Sequence, residues 1–90
     1  MKLTPAYISS TVEDSSTVRV LTLRSKSISH IEDISFCVDL NKLDLSENDL
    51  RGGESLSGLK YCKSISWISV SKNKLTDLTY LTNLKNLQGK

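Results

Sequence analysis

Apolar residues recur along the chain in a spacing that is repeated three times. In the first copy they occupy positions 18, 21, 23 and 28, and the same spacing starts again at Leu40 and at Ile65. Within each copy, two apolar residues are separated by a single residue, which predicts a short β-strand with one buried face. The sequence therefore predicts three short strands, near Val18, Leu40 and Ile65.

After each predicted strand, the apolar residues fall at every third position. They occupy positions 28, 31, 34 and 37 in the first copy and 75, 78, 81 and 84 in the third. The middle copy fits when an insertion of three residues is placed between Leu50 and Leu56. A period of three suits 3₁₀ structure, because side chains at i and i+3 eclipse there. Such a return brings the chain back to the same side, so the copies are expected to stack with parallel strands.

The copies are close to equal in length. They begin at Val18, Leu40 and Ile65, and a fourth begins at Leu87, so the intervals are 22, 25 and 22 residues. All 21 positions predicted to face the core are apolar when Cys is counted, although apolar residues form only 38% of the chain. We therefore predict an α/β fold, a right-handed solenoid. Its concave face carries short parallel strands, and its convex face carries 3₁₀ or irregular returns.

Asparagine occupies the same position after the second and third predicted strands, at Asn48 and Asn73, and Lys26 replaces it in the first copy. The sharp turn after each strand leaves backbone N–H and C=O groups directed at the core. An asparagine amide supplies both donors and acceptors for such groups. Asn48 and Asn73 are therefore predicted to hold the scaffold together rather than to bind a ligand.

Residues 1–17 precede the first repeat and are predicted to form an N-terminal helical cap. Thr4 suits the N-cap and Pro5 the first helical position, with Leu3 and Ile8 at the spacing of a hydrophobic staple. A short helix is expected over about residues 5–12, followed by a polar linker. The repeats are then assigned to residues 18–39, 40–64 and 65–86, and residues 87–90 begin a truncated fourth repeat.

The segments LNKLDLSENDL and ISWISVSKNKL follow the pattern L-x-x-L-x-L-x-x-N-x-L. They resemble the intracellular leucine-rich repeat class with 22-residue units, which includes regulatory subunit 7 of protein phosphatase 1 and light chain 1 of axonemal dynein. MKLTPAYI and VLTLRSKSI are also similar, over a short stretch, to the start of the spliceosomal A-prime protein. The resemblance implies a non-catalytic scaffold or regulatory protein that binds a protein partner. The chain is expected to be the N-terminal part of a longer protein.

Trp67 is the third residue of its repeat, and Ser69 and Ser71 follow it at alternate positions. It is predicted to point away from the core, onto the concave face, where tryptophan is a frequent anchor of binding energy. Covering the sheet surface is the alternative role. The expected column allows Lys42 to lie over the indole ring as a cation–π pair. The predicted protein-binding residues are Trp67, Lys42, Val20, Arg19, Arg24, Asp44, Glu47 and Lys72.

Cys37 and Cys62 share one repeat position. Stacked one repeat apart, they are read either as small buried hydrophobes or as a disulfide pair, and a reducing compartment favours buried thiols. Metal binding needs more ligands than these thiols and His30, which is expected to be exposed on the convex side. No catalytic, cofactor-binding or metal-binding residues are predicted, and an enzyme is not expected.

Charge and hydropathy limit the class of partner. The net charge is +2, and the single Trp is too little aromatic surface for a typical single-stranded nucleic acid site. No apolar run approaches the roughly 18 residues of a membrane-spanning helix. The N-terminal residues lack the apolar core of a signal peptide. A protein partner is therefore expected, together with an intracellular location in the cytoplasm or nucleus.

Two alternatives to protein binding on the concave face stay open. One is a spliceosomal-type ribonucleoprotein component that contacts RNA. The other is a structural segment whose uncovered C-terminal edge, formed by Leu75, Leu78, Leu81 and Leu84, stacks on further repeats or on a second copy of the chain.

Overall fold

The computed structural model describes residues 1–77, 80, 81 and 84. The core position predicted at Leu78, and the fourth repeat predicted to begin at Leu87, lie outside the described residues. In chain order the elements are β1 (Lys2–Leu3), α1 (Pro5–Thr11), β2 (Val20–Thr22), β3 (His30–Ile31), β4 (Lys42–Asp44), a 3₁₀ helix (Gly53–Leu59) and β5 (Trp67–Ser69).

Strands β2, β4 and β5 form a three-stranded parallel sheet in that order. Val20 pairs with Lys42, and Lys42 pairs with Trp67, so the paired residues are 22 and 25 positions apart. These offsets equal the intervals between the first three repeats of the sequence. The repeat register therefore brings equivalent positions of successive copies side by side.

The core lies against one face of this sheet. The middle residues of the three strands, Leu21, Leu43 and Ile68, are buried and alternate with outward residues. Leu43 is fully buried, and so is Leu45 just beyond β4, as the repeat pattern predicts. Of the predicted core positions that the structure describes, only Val18, Val70 and Leu75 are less than fully buried, and they pack at its margin.

The two asparagines bridge successive repeats through their side-chain amides. Each Oδ1 accepts from the backbone of the repeat before it, and each Nδ2 donates to carbonyl groups of both repeats. The Asn48 bonds join Lys26 N, Ile28 N, Leu23 O, Leu45 O and Ser46 O, and the Asn73 bonds join Leu50 N, Leu45 O, Val70 O and Ser71 O. The predicted structural role of Asn48 and Asn73 is confirmed by these contacts.

The turn after each strand contains a left-handed residue at the same position in all three copies, and the first copy has a second one, Ser27, with φ 58°. Ser25, Glu47 and Lys72 occupy the same repeat position and have φ values of 55°, 60° and 57°. This left-handed region is unfavourable for residues with a Cβ atom and is usually occupied by glycine or asparagine. The sharp turn was predicted, but the sequence lacks that signal here, so its left-handed conformation was not.

The N-terminal segment is held by a cap and by a second sheet. Thr4 Oγ1 accepts a hydrogen bond from Tyr7 N at 3.1 Å, as an N-cap does, and Val12 is the C-cap of α1. Strand β1 pairs in parallel with β3, so Lys2 lies beside His30. This pairing was not predicted: the first return contains a short strand, and His30 is half-buried rather than exposed.

The second return contains the 3₁₀ helix, which starts inside the insertion at residues 51–55. It packs against the first return at Gly58, where a Cβ atom would clash with the backbone carbonyl groups of Ile31 and Glu32. Ile34 N also donates to Gly58 O at 3.4 Å. Gly58 is therefore required because two backbone segments approach each other closely there.

Candidate functional site

The exposed side of the three-stranded sheet is called here the strand face. It carries the side chains that alternate with Leu21, Leu43 and Ile68, because successive side chains of a strand point to opposite faces. These side chains form two rows across the strands. One row is Val20, Lys42 and Trp67, and the other is Thr22, Asp44 and Ser69.

The first row places a lysine on the strand between two apolar residues. Val20 is 56% exposed and Trp67 is 37% exposed, so both present apolar surface to solvent. Neighbouring strands lie about 4.8 Å apart, so the row is about 10 Å long. The other described large hydrophobic residues with comparable exposure are Met1, Val38 and Tyr61, which lie outside this sheet.

The cation–π pair suggested for Lys42 and Trp67 is wrong. The cation–π contact among the described residues is between Lys60 and Tyr61, with the Lys60 Nζ 5.5 Å from the ring centroid. The sheet register places Lys42 beside Trp67 but does not fix the rotamers of a long, exposed lysine side chain. Both groups are therefore open to contact with another molecule.

Asp44 is engaged within the protein. Its Oδ1 accepts from Ser46 N at 3.0 Å and from Ser46 Oγ at 2.6 Å, and its Oδ2 lies 3.9 Å from Arg24 Nε. Burial acts to raise the pKa of Asp44, but the hydrogen bonds from Ser46 and the charge of Arg24 outweigh it and lower that pKa. The carboxylate is therefore ionised at neutral pH and already partnered.

Glu47 is engaged by groups from the repeats on both sides of it. Its Oε2 accepts from Ser25 Oγ at 2.8 Å, and its Oε1 lies 3.6 Å from both Arg24 Nη2 and Lys72 Nζ. The Ser25 hydrogen bond and then the charges of Arg24 and Lys72 lower the pKa of Glu47. These exposed ion pairs add little stability individually, but together they form a network at the ends of the strands.

The eight residues predicted as a binding site fall into three groups. Val20, Lys42 and Trp67 share one row; Asp44 lies beside Lys42 on β4; and Arg24, Glu47 and Lys72 lie past the strand ends. Arg19 is exposed just before β2, and its carbonyl oxygen accepts from Asn41 N and Lys42 N. Neither the Arg19 nor the Lys42 side chain forms an ion pair or hydrogen bond with any residue that the structure describes.

A shallow groove of about 230 Å³ lies on the flank of the molecule and was not predicted. It is lined by Ser35, Cys37, Val38, Tyr61, Cys62, Lys63 and Ser64. The only sequence signal for it is that the cysteines share one repeat position with exposed neighbours, Val38 and Tyr61. This groove combines a concave surface with exposed apolar side chains, and it lies away from the strand face.

Both cysteines in this groove are buried free thiols. The Cys62 thiol donates to Gly58 O at 3.7 Å, and burial raises its pKa to about 12, with smaller contributions from Asp33 and Cys37. Burial also raises the pKa of Cys37. A thiol that stays protonated at neutral pH is a poor nucleophile and a poor metal ligand. The arrangement therefore matches the predicted packing role and not the disulfide alternative.

Neither a metal site nor a membrane-spanning helix is found in the part of the chain that the structure describes. No group of three or more His, Cys, Asp and Glu side chains is arranged there to hold a metal ion. None of the described helices has the length and apolar character needed to cross a membrane.

Comparisons with known proteins do not assign the chain to a family. No protein-family model matches the chain, and a search of curated proteins finds no significant match. Its function therefore has to be inferred from the chemistry of its surfaces, of which the strand face offers the most to a partner.

Proposed function

We propose that this chain is a leucine-rich repeat solenoid that binds a protein partner without catalysing a reaction. Three features support the solenoid: parallel strands paired at the repeat intervals, the asparagine bridges, and a left-handed residue at the same position after each strand. In such a fold the strand face is the concave surface. The N-terminal residues, with α1 and β1, cover the first repeat as a cap.

The observation that carries the binding function is the exposure of Trp67. Its ring lies on a sheet face that is otherwise mostly small or charged, and Val20 lies two strands away in the same row. Tryptophan concentrates binding energy because it offers a large, rigid apolar surface together with one hydrogen-bond donor. The surrounding polar and charged side chains form a rim that sets orientation.

The experiment is a comparison of partner recovery by three forms of the protein: wild type, Trp67→Ala and Tyr61→Ala. Tyr61 is a matched control because it is an exposed aromatic residue that lies away from the strand face. We expect a partner that wild type and Tyr61→Ala recover equally and that Trp67→Ala loses by tenfold or more, about the cost of losing a hot-spot side chain. Circular dichroism checks that all three fold.

Equal recovery by all three proteins would contradict the proposal, since the strand face would then play no part. Loss with Tyr61→Ala but not with Trp67→Ala would assign binding to the flank groove instead.

RNA binding is a second candidate, favoured by Lys42, which has no ion-pair partner among the described residues and lies on the strand next to the exposed Trp67. Protein binding is preferred because single-stranded RNA sites combine a longer basic track with several stacking side chains. The two functions differ in salt dependence, since each phosphate contact adds to the steepness with which affinity falls as salt rises.

A further inference from the structure

The strand face leaves one charged group unmatched at its centre. Lys42 lies between Val20 and Trp67 in the sheet register, and its ammonium group has no partner among the described residues. The two acidic side chains nearby are already taken, since Asp44 is bound by Ser46 and Arg24, and Glu47 is bound by Ser25, Arg24 and Lys72. The strand face can therefore still form an ion pair with a negatively charged group of a ligand.

We propose that the partner segment presents a carboxylate to Lys42 and an apolar side chain on each side of it, one to Val20 and one to Trp67. This inference rests on the proposed function and specifies the chemistry of the partner.

The row selects a protein segment over a nucleic acid. Its single lysine stands on the middle strand, with Val20 and Trp67 on the strands about 5 Å to either side, so a negative charge that pairs with it is bordered by apolar surface. A nucleic acid carries one phosphate at every nucleotide and would place further charges against Val20 or Trp67 without a cation to receive them. A polypeptide alternates apolar and acidic side chains freely.

The spacing of the row selects a helix running across the strands. Side chains three or four residues apart on a helix have Cβ atoms about 5–6 Å apart, close to the spacing between strands. Residues i and i+7 are separated by about 10.5 Å along a helix axis, close to the length of the row. Alternate side chains of an extended strand are about 6.7 Å apart and would be out of step by the third position.

The test uses two synthetic alanine-based helical peptides. One carries Leu, Glu and Leu at positions i, i+3 and i+7 on one face, and the other has Lys in place of Glu. Trp67 is the only tryptophan of the chain, so its fluorescence reports binding at this face directly. The protein forms are wild type, Lys42→Glu and, as a matched charge reversal elsewhere on the surface, Lys60→Glu.

We expect wild type and Lys60→Glu to bind the Glu peptide about two- to fivefold more tightly than the Lys peptide, the range of an exposed ion pair. Lys42→Glu is expected to reverse that preference. Equal binding of both peptides by wild type would overturn the acidic assignment while leaving the strand face as a protein-binding surface. Preference for the Glu peptide that persists in Lys42→Glu would also overturn it.

Two further outcomes separate this inference from the proposed function. Tighter binding of a short single-stranded oligonucleotide than of either peptide, with a steep salt dependence, would overturn both and favour the RNA candidate. Absence of a fluorescence change with either peptide at millimolar concentration would overturn the helix pattern alone, because partner recovery with Trp67→Ala tests the strand face independently.

Discussion

The side-chain amide of Asn73 donates a hydrogen bond to the carbonyl oxygen of Leu45, one repeat earlier in the chain, at 2.9 Å. Asn48 makes the equivalent bond to Leu23 O, also at 2.9 Å. The same contact at successive levels means that each asparagine joins its own turn to the preceding strand. The stacking of repeats therefore depends on specific polar contacts as well as on the burial of leucines.

We expect Asn48→Ala to destabilise the protein by about 3 kcal/mol, because it leaves several backbone groups in the core without partners. Asn73→Ala should cost less, about 1–2 kcal/mol, since Asn73 is only half-buried and water can reach some of the groups it releases. Urea unfolding followed by circular dichroism measures both changes.

The matched control for the asparagine variants is Asn41→Ala. The Asn41 side chain is half-buried like that of Asn73, but its amide makes only one long, solvent-exposed hydrogen bond of 3.4 Å, to Ser64 O. Its loss should change the free energy of unfolding by less than about 0.5 kcal/mol. A cost for Asn48→Ala no larger than that of the control would contradict the bridging role.

Gly58 and Gly52 provide a matched pair of glycine substitutions. At Gly58 a Cβ atom would meet the backbone of Ile31 and Glu32, whereas at Gly52 nothing lies within 4 Å of the added atom. Gly58→Ala should therefore destabilise the protein by about 3 kcal/mol or prevent folding, because backbone cannot move aside as a flexible side chain can. Thermal unfolding of the purified variants measures the difference.

Gly52→Ala is expected to be neutral or to stabilise by up to about 1 kcal/mol. Gly52 has φ −82° and ψ 167°, a conformation that alanine adopts without strain, and the substitution reduces the freedom of the unfolded chain. Equal melting temperatures for the two alanine variants would show that the 3₁₀ helix does not pack against the first return as described.

Glu47 should make stability depend on pH on the acidic side. Its pKa in the folded protein is lowered from the ordinary value of 4.5 by Ser25, Arg24 and Lys72. A lowered folded-state pKa means that the unfolded chain binds the proton more readily, so the stabilisation is present above that ordinary value. It is lost as the pH falls from that ordinary value through the lowered pKa.

Glu47→Gln removes this titration, so its stability should fall less than that of wild type over the same range. The comparison is made by urea unfolding at a series of pH values, and high salt should reduce the difference. Glu13→Gln removes one acidic group from an exposed position and serves as control. An unchanged acid dependence in Glu47→Gln would mean that the network is not formed in solution.

The cysteines should react only when the chain opens. Cys62 is buried and its pKa is raised to about 12, so almost no thiolate is present at neutral pH. We expect labelling of both thiols by an aromatic disulfide reagent to be at least about a hundredfold slower in the native protein than in denaturant. Rapid labelling of native Cys62 would show that the flank groove opens to its floor.

The repeat pattern of the sequence predicts much of the geometry, and the reason is its period. Once Leu21, Leu43 and Ile68 are aligned, the strand pairing and the outward direction of Trp67 follow, because a strand alternates its faces strictly. The asparagine bridges are predictable for a related reason, since only an amide side chain supplies donors and acceptors together at that turn.

Features set by tertiary contacts were not predictable. Strand β1 is only two residues long, and no periodicity identifies Lys2 as the partner of His30, 28 positions away. The rotamer of Lys42 is not determined by register, so the sequence could not show whether its ammonium group lies over the Trp67 ring. Glu47 and Lys72 were assigned to the concave face, but the left-handed turn takes them past the ends of the strands.

That turn has a consequence for engineering. Ser25, Glu47 and Lys72 adopt a backbone conformation that costs residues with a Cβ atom about 1–2 kcal/mol, yet none of them is glycine or asparagine. A residue better suited to this backbone conformation would therefore stabilise the protein at each of the three turns. Asparagine in place of Lys72 would provide this gain at the cost of one exposed ion pair to Glu47, and tandem arrays built from such copies would gain the same increment at each added layer.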